Sequence, residues 1–255
     1  MNIEDNLAKL REEIPDGVKL IAVSKFHPAS MIVEAYNAGQ RRFGESRPQE
    51  FKSKIDEFLG MGVSYRPVSA SDKAWIEWHF IGHLQTNKVK MVVPYASMIE
   101  SVDSEHLLRA IDMEAERLGM KSDVLLEVHI ASDEQTKQGF SESELLEFID
   151  SLLYSTESPC SSAGSNDAPF LHVRLRGLMG MASNVGDMKQ VHDEFEELHS
   201  LFNVVRERLK KADSPLYPCS IFDTLSMGMS HDYKVAVAAG STEVRVGTAI
   251  FGSRQ

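Results

Sequence analysis

Ile3, Leu7, Leu10 and Ile14 recur three or four positions apart, with Glu and Lys between them. That spacing places the four on one stripe of an amphipathic helix. Pro15-Asp16-Gly17 ends it. The pattern then changes. Residues 18–23 are apolar on almost every position, as in a strand of a parallel sheet covered on both faces. From there the two patterns alternate. Helices are predicted over 30–38, 48–59, about 85–93, from an Asp103 cap to near Gly119, from Ser141 onward, over 187–211 and over 233–239. Strands are predicted over 42–45, 77–81, 98–102, 124–130, up to 176–180, over 221–225 and over 243–246. Ser141 followed three positions later by Glu144 is a capping-box pattern. Residues 60–74 are polar and mixed and read as a surface loop. Residues 154–168 are rich in Ser, Pro, Gly, Asn and Asp and read as a mobile surface insertion, because the alternation resumes unchanged after them.

Counting the first, this makes eight strands, each except the last followed by a clear helix. Strict βα alternation implies a parallel sheet. Eight units in 255 residues imply an α/β fold, a single (β/α)8 TIM-type barrel with an extra N-terminal helix that covers the seam a missing last helix would leave. The chain is read as one domain, 1–255. An open doubly wound sheet is the alternative, but it normally carries a glycine fingerprint after an early strand, and neither G-x-G-x-x-G nor a P-loop occurs.

Barrel closure gives the ends of the chain a meaning. It sets the last strand beside the first, so the loop after strand eight meets the loop after strand one on the C-terminal rim, where barrel enzymes build their sites. Lys25 stands there, just where the apolar run Ile21-Ala22-Val23 stops. It is either a solvated lysine at a strand end or an amine suited to a Schiff base. Leu225-Ser226-Met227-Gly228-Met229-Ser230 follows strand seven and Val246-Gly247-Thr248-Ala249 follows strand eight. The first supplies a glycine, two hydroxyls and backbone N–H groups as a helix begins, and the second a glycine turn with one hydroxyl, which suits a phosphate. The plainer alternative is that these glycines are only turn residues. Arg245 sits inside the last strand between Val244 and Val246. It must pair with Glu243 or another carboxylate, or face a ligand.

Bulk properties narrow the partners. A net charge of -11 disfavours nucleic acid, whose non-specific binding needs Lys and Arg against phosphates. Cys160 and Cys219 share no motif, which argues against a disulfide framework and fits a reducing compartment. No signal peptide is visible and no apolar run reaches bilayer length, so no membrane partner and a cytoplasmic location are expected. The nine histidines show no ligand spacing, so no metal is expected. No long exposed apolar stripe stands out, which favours a monomer.

Several stretches carry a family resemblance: Ala22-Val23-Ser24-Lys25, Phe43-Gly44-Glu45, the run from Trp78 to Lys88, Leu225 to Asp232, and Gly240 to Gly252. Together they resemble the YggS/PROSC family of pyridoxal phosphate homeostasis proteins, across nearly the whole chain. The resemblance implies a barrel like the N-terminal domain of alanine racemase. It implies pyridoxal 5′-phosphate (PLP) as cofactor, in Schiff-base linkage to Lys25. Arg245 would face the pyridine nitrogen, and Ser226, Met227, Gly247 and Thr248 would line the phosphate, with Ser230 in the same loop and Ser46 at the ring's flank. Ser46 stands where the family usually has Asn, and His83 where many members have Pro.

An arginine opposite the pyridine nitrogen cannot accept a proton and leaves that nitrogen neutral, which weakens PLP as an electron sink. A racemase also needs a second acid/base on the far face of its substrate. In the two-domain racemases a tyrosine of the partner's second domain serves, and this chain shows no such domain. Tyr233, His83 and His27 reach the rim without any spacing that marks a base. The expected function is therefore PLP storage, buffering or delivery to apo PLP-dependent enzymes, with no catalytic residue of its own. The alternatives are an amino-acid racemase of the alanine-racemase type and a cofactor-free Schiff-base aldolase.

Overall fold

The computed structural model describes residues 2–65, 75–132, 138–157 and 169–253. Among them eight strands pair in chain order, all parallel: β1 (Lys19–Val23), β2 (Arg42–Glu45), β3 (Glu77–Phe80), β4 (Met98–Val102), β5 (Ser122–His129), β6 (Val173–Met181), β7 (Thr224–Ser226) and β8 (Glu243–Val246). β8 returns to β1 with Lys19 opposite Glu243 and Ile21 opposite Arg245, which closes the barrel. The TIM-type α/β expectation holds.

Around the strands lie α1 (Ile3–Glu13), α2 (Ala29–Asn37), α3 (Pro48–Gly60), α4 (Val89–Val92), α5 (Glu105–Arg117), α6 (Glu142–Glu157), α7 (Met188–Ala212), α8 (Tyr233–Ala238) and α9 (Thr248–Phe251). α1 fills the seam. Ile3, Leu7 and Leu10 are buried, its Ile3 N–H reaches Glu34 of α2, and Asn6 donates to the Ile250 carbonyl of α9 at 2.9 Å. The last strand is thus followed by a helix after all, but of a single turn, and α1 supplies the rest of the cover.

Other boundaries differ for local reasons. The cap of α5 is Ser104, whose hydroxyl accepts the Leu107 N–H, and Asp103 instead accepts the Ser104 hydroxyl. Ile221 and Phe222 read as strand because they are apolar, yet Cys219–Ile221 forms a 3-10 turn and Phe222 stacks on Phe202 of α7 at 5.2 Å. β7 therefore begins later, at Thr224. Helix α6 runs through Glu157, so the segment read as an insertion begins inside a helix. Its remainder, 158–168, lies outside the described residues, as do Cys160 and 66–74 of the loop read over 60–74. The Ser141–Glu144 capping box forms, each residue accepting from the other's backbone N–H.

Helix α7 is pinned to the rim by one carboxylate. Glu194 accepts hydrogen bonds from the N–H and hydroxyl of Ser132 and from the N–H and hydroxyl of Ser183. Burial pushes its pKa up, but these donors outweigh burial and hold it at about 2. The folded value lies below the ordinary 4.5, so this stabilisation is complete above 4.5 and is lost as pH falls toward about 2. Glu194→Gln is expected to cost about 1–3 kcal/mol at neutral pH, the worth of hydrogen bonds to a charged group. Denaturant titrations across this range should show a shallower acid loss in the variant than in the parent. Equal slopes would remove Glu194 as the source.

Candidate functional site

The C-terminal rim opens into a cavity of about 420 Å³ whose wall includes Lys25, His27, Ile81, Met181, Asn184, Ser230, Arg245, Gly247 and Thr248. That volume lies within the range of small-molecule sites. Five of the expected cofactor contacts meet here, Lys25, Ser230, Arg245, Gly247 and Thr248, and His27, one of the three residues weighed as a base, lines the wall with them. Lys25 is half-buried just past β1.

Ser230 stitches the loop after β7 to the loop after β8. Its hydroxyl oxygen accepts the Gly247 N–H at 3.1 Å and the Thr248 hydroxyl at 3.4 Å, which leaves its own hydrogen for another acceptor. The β7 loop takes its shape from Gly228, at φ 95°. A Cβ there would lie 2.6 Å from the Ala236 side chain, so only glycine fits. The Met229 N–H is taken by the Asp232 carboxylate, so the start of α8 is closed by its own loop rather than left open to an anion.

Three further sequence candidates lie elsewhere. The Ser226 hydroxyl points into the barrel, donating to Glu100 at 2.6 Å and accepting from Arg245 at 2.5 Å. Met227 is fully buried in the core. Ser46 follows β2 with a buried hydroxyl that has no hydrogen-bond partner among the described residues. None of the three lines the cavity. His83 pairs with Asp103 at 3.2 Å and lines a separate cavity, of about 520 Å³. Tyr233 is bound to Glu13, and burial together with that carboxylate pushes its hydroxyl up to about 12.

Below the cavity the barrel interior is polar, where such barrels are usually filled by branched apolar side chains. Arg245, 4% exposed, donates to Ser226 and to the Gly180 carbonyl and lies 3.6 Å from Glu100. Its ion-pair partner is thus Glu100 of β4, not its near neighbour Glu243. Glu100 also meets His79 Nδ1 at 2.7 Å. Burial works against charge on both partners. For His79 the carboxylates of Glu243 and Glu100 win, and its pKa rises. For Glu100 the contacts with His79, Arg245 and Ser226 win, and its pKa falls. Glu243 is different: both its oxygens are buried without a hydrogen-bond partner among the described residues, and burial pushes it up to about 7.

Sequence reading missed this layer, along with Glu127, which burial also raises to about 7. The only signal was a polar residue on alternate positions of a short strand, as in Glu77-Trp78-His79-Phe80. The atoms of His79, Glu100 and Glu243 lie within 4.8 Å of one another, a grouping with metal-ligand chemistry that linear spacing could not reveal. The guanidinium of Arg245 already places a cation beside it.

Comparison with known proteins gives a consistent answer. The family model for the alanine racemase N-terminal domain matches residues 1–255. A protein of Pasteurella multocida (strain Pm70), named pyridoxal phosphate homeostasis protein, is 34% identical over 264 residues, covering 100% of this chain and 98% of its own. The Escherichia coli (strain K12) protein of the same name is 34% identical, covering 99% and 97%. Among solved structures, PipY of Synechococcus elongatus PCC7942 without PLP gives a TM-score of 0.78 at 33% identity, covering 98% of this chain and 100% of that one. The same protein with PLP bound gives 0.77 at 32% identity over the same shares. Alanine racemase of Clostridium difficile 630, 11% identical with a TM-score of 0.63, shares the fold over 99% of this chain and 56% of its own. The chain therefore belongs to the pyridoxal phosphate homeostasis protein family, built on the alanine racemase N-terminal domain.

Proposed function

We propose that this protein binds PLP, holds it through the Lys25 amine, and serves PLP homeostasis as a carrier. The observation that carries the reading is the convergence of Lys25, Arg245, Ser230, Gly247 and Thr248 on one cavity. The residues suit the cofactor group by group. An amine meets an aldehyde. The spare hydroxyl hydrogen of Ser230 meets a phosphate, between two loops that Gly247 and Thr248 tie together. A guanidinium meets a heteroaromatic nitrogen. The PLP-bound PipY structure, at 32% identity, supports the same ligand.

When bound, PLP supplies a carbonyl for reversible Schiff-base linkage and a ring that withdraws electrons. The chain's residues limit the second property. The Arg245 side chain has only N–H donors and offers the ring nitrogen no proton acceptor. Tyr233, the residue closest in kind to a racemase base, is tied to Glu13 and does not line the cavity. The relatives are named homeostasis proteins. These points favour storage, buffering or delivery to apo PLP-dependent enzymes over turnover. The chain acts as a monomer in this reading, with the rim open for exchange. Among the described residues no helix is long and apolar enough to cross a membrane.

The test is direct. Protein saturated with PLP is reduced with borohydride, digested and mapped, and the label is expected on Lys25 alone. Label on another lysine would overturn the assignment. The same preparation is incubated with L-alanine in D2O, where α-deuteration at turnover rates would replace the carrier reading with the racemase one. A colourless protein cleaving a sugar phosphate would favour the aldolase.

A further inference from the structure

The backbone next to Lys25 is strained. Phe26 has φ 67°, in the left-handed region that bulky residues avoid. It stays there because its N–H donates to Glu50 Oε1 of α3 at 2.6 Å. The Arg47 guanidinium also packs over the Phe26 ring, 4.4 Å from its centre. On the other side of Lys25, the Ser24 carbonyl accepts from Lys54 Nζ at 2.8 Å, and the Ser24 hydroxyl donates to Glu45 at 2.5 Å. Lys54 is 5% exposed, and its ammonium meets Glu45 and Glu50 at 2.7 Å each. One buried ammonium thus has three acceptors, the number of hydrogens it can donate. Through them it anchors both neighbours of Lys25: Ser24 directly, and Phe26 by way of Glu50.

We propose that Glu50 and Lys54 are positioning residues for Lys25, clamping Ser24 and Phe26 so that the loop between them holds the amine toward the cavity. This inference rests on Lys25 being the PLP tether. A plain structural tie between α3 and β1 would use the same ion pair, but it would need no bulky residue at positive φ. The strain is where the two explanations separate.

The test compares Glu50→Ala with Glu50→Gln in the full-length, PLP-loaded protein. Both variants lose the Glu50 charge and leave Glu45 facing Lys54, but only glutamine keeps an oxygen for the Phe26 N–H. The readouts are the rate of PLP loss to hydroxylamine, the visible circular dichroism per bound cofactor, and thermal stability. The two variants are expected to lose similar thermal stability. PLP loss should be about tenfold faster for Glu50→Ala, with a weaker visible signal, and within about twofold of the parent for Glu50→Gln. Phe26→Gly supplies the second arm. Glycine adopts positive φ without strain, so in that background Glu50→Ala should change the loss rate by less than about twofold. Equal loss rates for Glu50→Ala and the parent, or an undiminished effect in the Phe26→Gly background, would overturn the clamp. Borohydride label absent from Lys25 in the parent would overturn the tether and the clamp together. Label on Lys25 with equal loss rates would overturn the clamp alone.

Discussion

Lys25→Ala is expected to yield a folded barrel that carries no borohydride-fixable PLP. The side chain is half-buried on the cavity wall, not in the core, and such substitutions usually change stability by no more than about 0.5 kcal/mol. What disappears is the bond. The Ser230 hydroxyl hydrogen and the Arg245 guanidinium remain on the cavity wall, so residual PLP should bind without covalent linkage and exchange quickly. Thermal shift makes this quantitative. A ligand at a hundred times its Kd stabilises the native state by about 2.7 kcal/mol, and the variant should lose most of that increment at the same PLP concentration. A variant that keeps the parent's colour, its reducible adduct and its thermal increment would sink the assignment.

Arg245→Leu is expected to destabilise the protein heavily, by about 3–5 kcal/mol, the cost of leaving a buried charge without its partner. Glu100 would lose the guanidinium 3.6 Å away, and Ser226 a donor at 2.5 Å. The pH dependence has a definite sign. Glu243 in the folded state titrates at about 7, above the ordinary 4.5, so its neutral form supports the fold below that range and the support is lost as pH rises through about 7. Removing the nearby cation raises carboxylate pKa values further. The variant's deficit should therefore be smallest in mild acid and grow above neutrality. The double variant Glu100→Leu/Arg245→Leu should recover a substantial part of the loss, since both charges leave together. Urea titrations of the parent, both single variants and the double variant, each at two pH values, would decide it. A deficit that ignores both pH and the second substitution would mean that Arg245 acts by packing alone.

Much of the architecture was legible because it depends on short-range chemistry. The period of α1, the run at β1 and the Ser141–Glu144 cap are decided by neighbours within a turn or two of chain. The misreadings have a common cause. Ile221 and Phe222 look like strand because apolar residues look alike whether they face a barrel or a helix, and only α7 shows which. Asp103 and Ser104 are both good caps, and the choice fell to Ser104 because Asp103 has partners of its own in Ser104 and His83. Of the site, the glycine and hydroxyl loops and Lys25 could be found by letting the barrel close. That the Ser226 hydroxyl turns into the barrel could not be read from its place in the chain, because its acceptor is Glu100, more than a hundred residues earlier.

By itself, then, the sequence determined eight alternating units, most of the turns between them, the Ser141–Glu144 cap and the motifs that mark the family. It did so because backbone propensity and hydrophobic period act locally. Only the tertiary structure decided which face of each strand looks inward, that Arg245 pairs with Glu100 rather than Glu243, and that Lys54 braces both sides of Lys25. Parallel strands meet only through long crossovers, so partners inside the barrel are set by closure and register, quantities that no local pattern of residues contains.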